Sequence, residues 1–343
     1  MLRSRPTSTL GIVAVAAALL SACSSSGSAP TRSSSPGSSG ASSRSGSGTA
    51  ASSTASSTSG STTVSSPSPS SSPSALVLRS GYYVSLGDSY AAGYQPTGPR
   101  AGATTENGFA YQVVRSAAAS GHRLTLVNFG CSGATTASVL HSIGCPHDYL
   151  GPGATPYDGW TQASAAEAFL RAHRGQIALI TVSIGGNDIT VCGINANPTS
   201  CLLSALSPLK TNLATLVSGL RAAAGPAAPL VGITYPDVLL GNLLSKESAM
   251  QSVGKLSVFA FQSLINPALK AAYEAVGGRF ADVTTATGAY EPLTDTTSLP
   301  PYGTVPVAVA KICQLTYYCQ YHDIHPRTPG YAIIADLVLK AVS

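Results

Sequence analysis

The sequence predicts an α/β domain built on a mainly parallel sheet with helices on both faces. Three observations carry this. Residues 177–183 (Ile-Ala-Leu-Ile-Thr-Val-Ser) form a continuous, mostly apolar, β-branched run, as expected of a strand covered on both sides. Strand-like runs alternate along the chain with stretches of helical apolar spacing. No hairpin signal joins consecutive strands, so the connections read as crossovers.

Only part of the 343 residues can belong to that domain. Residues 1–22 begin with Arg3 and Arg5 and continue into an apolar run from Leu10 to Leu20, short for a membrane span and suited to a secretory leader. Residues 23–75 are nearly all Ser, Thr, Gly, Ala and Pro, a composition that cannot bury a core and is expected to act as a flexible tether. The globular domain is therefore placed at 76–343, a length that suits one large α/β domain. The formal charge of +5 is misleading, because Arg3, Arg5, Arg32 and Arg44 lie ahead of the domain and no acid precedes Asp88. What remains is nearly neutral, which argues against nucleic acid or a strongly anionic partner. A monomer is expected.

Within the domain, the first strand is Tyr82 to Leu86, followed by the turn Gly87-Asp88-Ser89-Tyr90. Residues 107–120 read as a helix, 123–128 as a strand, 144–161 as an irregular loop and 163–173 as a helix. After the central strand, a helix is predicted from Ser207, as N-cap with Pro208 at its first position, to Ala224. A strand at 229–234, a broken helical region at 245–275, a last strand at 278–283 and a closing helix at 331–342 complete the alternation.

Four short loops then stand out: residues 87–90, 132–135 (Ser-Gly-Ala-Thr), 185–188 (Gly-Gly-Asn-Asp) and 323–326 (Asp-Ile-His-Pro). Three directly follow a predicted strand, and in an open parallel sheet such loops gather at the carboxyl edge, where ligands bind. Their chemistry is complementary. Ser89 supplies a nucleophilic oxygen, His325 a base that works near neutral pH, and Asp323 a carboxylate to orient the imidazole. The backbone N–H groups of Ser89 and Gly133 and the side-chain amide of Asn187 are suitable donors to an oxyanion. Asp88 and Asp188 read as acceptors within their turns rather than as catalytic carboxylates. His322, Asp323 and His325 are not joined by further ligands in a metal-binding pattern, so no metal is expected.

In these blocks the sequence resembles the SGNH, or GDSL, family of esterases and lipases, named for the four residues that match Ser89, Gly133, Asn187 and His325. The resemblance covers about 80–343. It implies a flavodoxin-like three-layer α/β/α sandwich, an acyl-enzyme mechanism and no cofactor. One block departs from the family pattern. The aspartate usually lies three positions before the histidine, where this chain has His322, and Asp323 lies two before. In an extended loop residues two apart share a side, which keeps Asp323 in reach of the ring; otherwise a backbone carbonyl orients it. The substrate implied is a carboxylic ester of a lipid or an acylated glycan. Acyl transfer from the same site, or a surface-binding lipoprotein without turnover, are the alternatives.

Leu20-Ser21-Ala22-Cys23 resembles a bacterial lipoprotein box, which implies diacylglyceryl attachment at Cys23 and a place on the outer face of the cell membrane; without lipidation the protein would be secreted. Beyond Cys23, the cysteines fall into three close pairs, expected to be the disulfides Cys131 with Cys145, Cys192 with Cys201, and Cys313 with Cys319. Acyl preference is expected to depend on the loops at 144–161 and 284–305, with Tyr90, Tyr94, Tyr149 and Tyr157 available to line either an acyl groove or a sugar platform.

Overall fold

The computed structural model describes residues 78–343, which lie within one compact unit, Pro69–Ser343. The expected leader, the lipidation site Cys23 and the whole Ser-rich tether lie outside the described residues. Five strands form the central sheet: β1 (Gly81–Gly87), β2 (Leu124–Asn128), β3 (Ile177–Ser183), β4 (Leu230–Ile233) and β5 (Arg279–Ala281). Their order is β2-β1-β3-β4-β5, and every pairing is parallel. All seven residues of β3 are buried, which is why its sequence shows no alternation.

Seven longer helices cover the sheet and its carboxyl edge: α1 (Phe109–Ala119), α2 (Gln162–Ala172), α3 (Pro198–Ala224), α4 (Ser248–Ala260), α5 (Asn266–Glu274), α6 (Val307–Leu315) and α7 (Thr328–Val342). Helices α1 and α7 pack together in one layer, while α3 packs between α2 and α5 in the other. Both layers bury apolar side chains against the strands, and the result is the three-layer sandwich expected. The sheet, its apolar core and all three disulfides are contained within this one unit.

Two details differ from the sequence reading, and the expected helix break takes a specific form. Helix α3 starts at Pro198 rather than Ser207, and Pro208 sits inside it. Proline removes one intrahelical hydrogen bond at a cost of about 3 kcal/mol. The buried stripe Leu202, Leu206, Leu209, Leu213 and Leu216 runs through the interruption, so packing carries the helix across it. The break expected in 245–275 is a π turn, Phe261–Ile265, between α4 and α5; Pro267 has no N–H to give to Ser263, which is where a regular helix would fail. Lastly, two antiparallel ribbons are present, Tyr94–Gly98 with Ala101–Thr104 and Thr296–Leu299 with Gly303–Pro306. Gly98-Pro99 and Pro300-Pro301 are turn signals that mark them. Both lie outside the main sheet, so its parallel character is unaffected.

Candidate active site

The sheet order changes direction at β1, whose neighbours are β2 and β3, and the loops leaving β1 and β3 open a crevice at the carboxyl edge. Strand β1 ends at Gly87, which has φ +134° and lies so close to β3 that a Cβ there would fall 1.9 Å from the Ser183 carbonyl oxygen. Only glycine fits. Gln162, at the start of α2, holds this turn from the other side. Its Oε1 accepts from Gly87 N–H at 2.8 Å and its Nε2 donates to Gly87 O at 3.0 Å.

Asp88 and Ser89 come next, and both are buried. Asp88 Oδ1 accepts from the Tyr90 N–H at 2.9 Å, capping the short helix Ser89–Ala92. Its Oδ2 accepts from the Tyr235 hydroxyl at 2.6 Å. Burial pushes the Asp88 carboxyl up to about 7, against the pull of these two bonds. Asp88 is thus a turn acceptor, as expected.

Asp323, His325 and Ser89 form a continuous chain. The His325 Nε2 lies 2.7 Å from Ser89 Oγ, although the two residues are 236 positions apart. Asp323 Oδ1 lies 2.7 Å from His325 Nδ1 and also accepts the His325 backbone N–H at 2.9 Å. Burial pushes the Asp323 carboxyl up, but the bonds and charge of His325 outweigh it and hold the carboxyl below its ordinary value. The two-residue spacing works because the backbone turns sharply just before it: His322 has φ +54°. Tyr90 and Tyr94 hold the histidine loop. The Tyr90 hydroxyl donates to Ile324 O at 2.7 Å, and the Tyr94 ring lies 4.5 Å from the imidazole, centre to centre.

The other two blocks bind each other. Asn187 Nδ2 donates to Ala134 O at 2.8 Å, which leaves its second N–H for another acceptor. Asp188 accepts from the Thr136 N–H at 2.9 Å and from the Thr136 hydroxyl, a structural role like the one its turn suggested. Gly133 stands on the loop so held, with φ +84°. The disulfides lie beside these blocks, Cys131 bonded to Cys145, Cys192 to Cys201 and Cys313 to Cys319. Disulfides fit an exported protein. Among the described residues, no helix is long and apolar enough to cross a membrane, and no three His, Cys, Asp or Glu side chains converge as metal ligands would.

A deep apolar pocket opens beside Ser89 and Asn187. Its walls include Ile189, Leu202, Val238, Leu256, Phe261 and Ile265, from two segments, 186–202 and 235–265. The expected loops at 144–161 and 284–305 contribute nothing to it. Of the four tyrosines, Tyr90 lines the pocket, Tyr94 faces the imidazole, Tyr157 is buried near Phe129, and Tyr149 is exposed. The segment after β4 was therefore missed, along with Tyr235, which holds Asp88. A signal did exist, since residues 235–237 follow a predicted strand at the same sheet edge as the other blocks. Gln162 gave none: its role depends on a contact 75 positions away.

A model of the GDSL-like lipase/acylhydrolase family matches residues 85–333. A search of curated proteins gives no match. Among solved structures, an extracellular lipase from Streptomyces rimosus is 18% identical, with 76% of this chain and 100% of that chain covered and a TM-score of 0.44. An acetyl xylan esterase from Geobacillus stearothermophilus is 14% identical, with 78% and 97% covered and a TM-score of 0.44. The M. smegmatis aryl esterase is 16% identical, with 77% and 98% covered and a TM-score of 0.37.

Proposed function

The chain belongs to the GDSL-like lipase/acylhydrolase family and is a serine ester hydrolase; from that premise we propose that it cleaves esters of long acyl chains, through an acyl-enzyme on Ser89, at the outer face of the cell membrane. The observation that carries the acyl preference is the pocket beside Ser89. Its exposed surface is mostly apolar, and Ser89 and Asn187 are among its lining residues. An acyl chain gains roughly 0.8 kcal/mol for each methylene it buries there, so longer chains bind better until the pocket is full.

In the proposed cycle, Ser89 Oγ attacks the ester carbonyl carbon while its proton passes to His325 Nε2 across the 2.7 Å contact. Asp323 fixes the imidazole with Nδ1–H toward its carboxylate and stabilises the imidazolium that forms. The Ser89 and Gly133 N–H groups and the second N–H of Asn187 receive the negative oxygen of the tetrahedral intermediate. Collapse breaks the ester C–O bond, and the departing alcohol takes the proton from Nε2. Water then repeats the sequence on the acyl-enzyme and releases the acid. Lipidation of Cys23 would supply two acyl chains, enough for stable anchoring, with the Ser-rich segment as tether.

The test is hydrolysis of p-nitrophenyl esters from acetate to palmitate by residues 69–343, beside the Ser89→Ala variant. The rate is expected to peak at eight carbons or more and to fall at least ~10³-fold in the variant. An optimum at acetate would sink the long-chain reading.

A further inference from the structure

We propose that the rim of the acyl pocket is a docking surface for an uncharged lipid surface, formed by Val191, Ile194, Leu203 and Phe259. This rests on the reading of the pocket as an acyl site. These four are among the most exposed large apolar residues described, at 61%, 75%, 55% and 56% of their full accessible area. They stand on three segments that meet at one opening. Val191 and Ile194 belong to a single-turn 3₁₀ helix in which Cys192 and Gly193 line the pocket. Leu203 follows the lining residue Leu202 on α3, and Phe259 on α4 both lines the pocket and faces solvent.

The charge pattern points to the occupant. From Ile189 to Leu209 the chain carries no charged side chain, so this wall can leave water without desolvating an ion. Three other exposed apolar residues among those described have different surroundings. Ile143, Tyr149 and Trp160 share their loop with His147, Asp148 and Asp158, and the His147 and Asp158 side chains pair at 3.7 Å. At the rim the nearest cation along α4 is Lys255, one turn before Phe259 and exposed, where its long stem can reach a headgroup phosphate while the apolar residues enter.

A second copy of the chain fits this surface poorly, because it would cover the rim residues Val191, Ile194, Leu203 and Phe259 beside the pocket that an acyl chain has to enter. A lipid surface has the opposite effect. With the rim buried about 5–10 Å into the boundary between headgroups and chains, an acyl chain passes from lipid to pocket without exposing its length to water.

The test is flotation of residues 69–343 with phosphatidylcholine vesicles, comparing the parent with the double variant Ile194→Asp, Leu203→Asp. The parent is expected to float. Each substitution should weaken partition about tenfold, the ratio that corresponds to about 1.4 kcal/mol. Hydrolysis of dissolved p-nitrophenyl butyrate should be unchanged, since neither side chain lines the acyl pocket, and that rate also reports correct folding. The uncharged pair Ile194→Asn, Leu203→Gln should act in the same direction. Equal flotation of parent and variants would overturn the proposal, as would binding that requires phosphatidylglycerol and ignores the substitutions. A concentration-dependent dimer abolished by the variants would assign the rim to a second copy instead. A parent that floats in a rim-dependent way yet hydrolyses no ester would uphold the docking surface and overturn the enzymatic reading.

Discussion

The corner that holds Ser89 and the wall that forms the acyl pocket adjoin each other but are built by different physics. In the corner, position is fixed by short polar contacts between distant segments. Ser89, His325 and Asp323 are linked at 2.7 Å, Asp88 accepts two bonds, and the histidine loop is held by Tyr90 at 2.7 Å. Along the wall the backbone is irregular, with two 3₁₀ segments (Val191–Ile194 and Val238–Leu244) and the π turn, and what is fixed is a shape. A polar constellation fails when one partner is removed. A shape changes by degrees, and its changes register as selectivity.

The sharpest way to break that contrast is Asp323→Asn. An amide at 323 can donate to Nδ1, which favours the tautomer with its proton on Nε2, the wrong one to accept from Ser89. A loss of roughly 10³–10⁴-fold in kcat/KM is expected across all acyl lengths alike. Stopped-flow or steady-state rates on acetate and octanoate esters would check it. A loss below about tenfold would mean that the ring is held by its loop alone, and the corner would then be no more dependent on one polar group than the wall.

The same division explains what could be read from the sequence. Ser89, Gly133, Asn187 and His325 lie in short loops whose residue types name their chemistry, and three of those loops follow strands with plain apolar signatures. The sandwich was legible for the same reason, since β3 is an unbroken buried run. The pocket wall was not. Val238, Leu256 and Phe261 look like any core residues of a helical region, and nothing local says that they face a void rather than each other. Pro208 misled for a local reason: proline after serine is a strong helix-start signal, but Pro198 after Asn197 is another, and only the long leucine stripe decides between them. Tyr235 illustrates the remaining gap, because its bond to Asp88 spans 147 positions.

A change in the wall should alter selectivity and leave the chemistry intact. Leu256 is partly buried on α4 and lines the pocket. Leu256→Trp adds bulk into the space for the chain, and each methylene excluded costs about 1 kcal/mol or more. Hydrolysis of dodecanoate relative to butyrate is expected to fall about 10–100-fold, with the butyrate rate within about threefold of the parent. Parallel losses for both esters would mean that the wall also positions the corner, and the two regions could not be treated as separate devices.

The smallest expected effect concerns stability, and it falls on a buried carboxyl whose chain neighbours Pro236 and Val238 line the pocket. Asp237 is fully buried, accepts from the Ser257 hydroxyl at 2.8 Å, and among the described residues its Oδ1 has no hydrogen-bond partner. Burial pushes this carboxyl up to about 7, far above its value in the unfolded chain, so between about pH 4 and 7 the folded state holds the proton more strongly. Stability is therefore greatest at the acid side of that window and declines as pH rises through the folded value. Asp88 has the same sign. Asp323, held low, has the opposite one and matters only in more acid solution. Each raised group should cost about 1.4 kcal/mol of unfolding free energy between pH 6 and pH 8. Urea denaturation of residues 69–343 should show the parent more stable at pH 6, with Asp237→Asn removing about half of the difference. The Asp88 half should persist in that variant, because its carboxyl is bound within the corner by the Tyr90 N–H and the Tyr235 hydroxyl. A pH slope unchanged by Asp237→Asn would place the titration wholly in the corner, and the wall would then be as electrically inert as it is apolar.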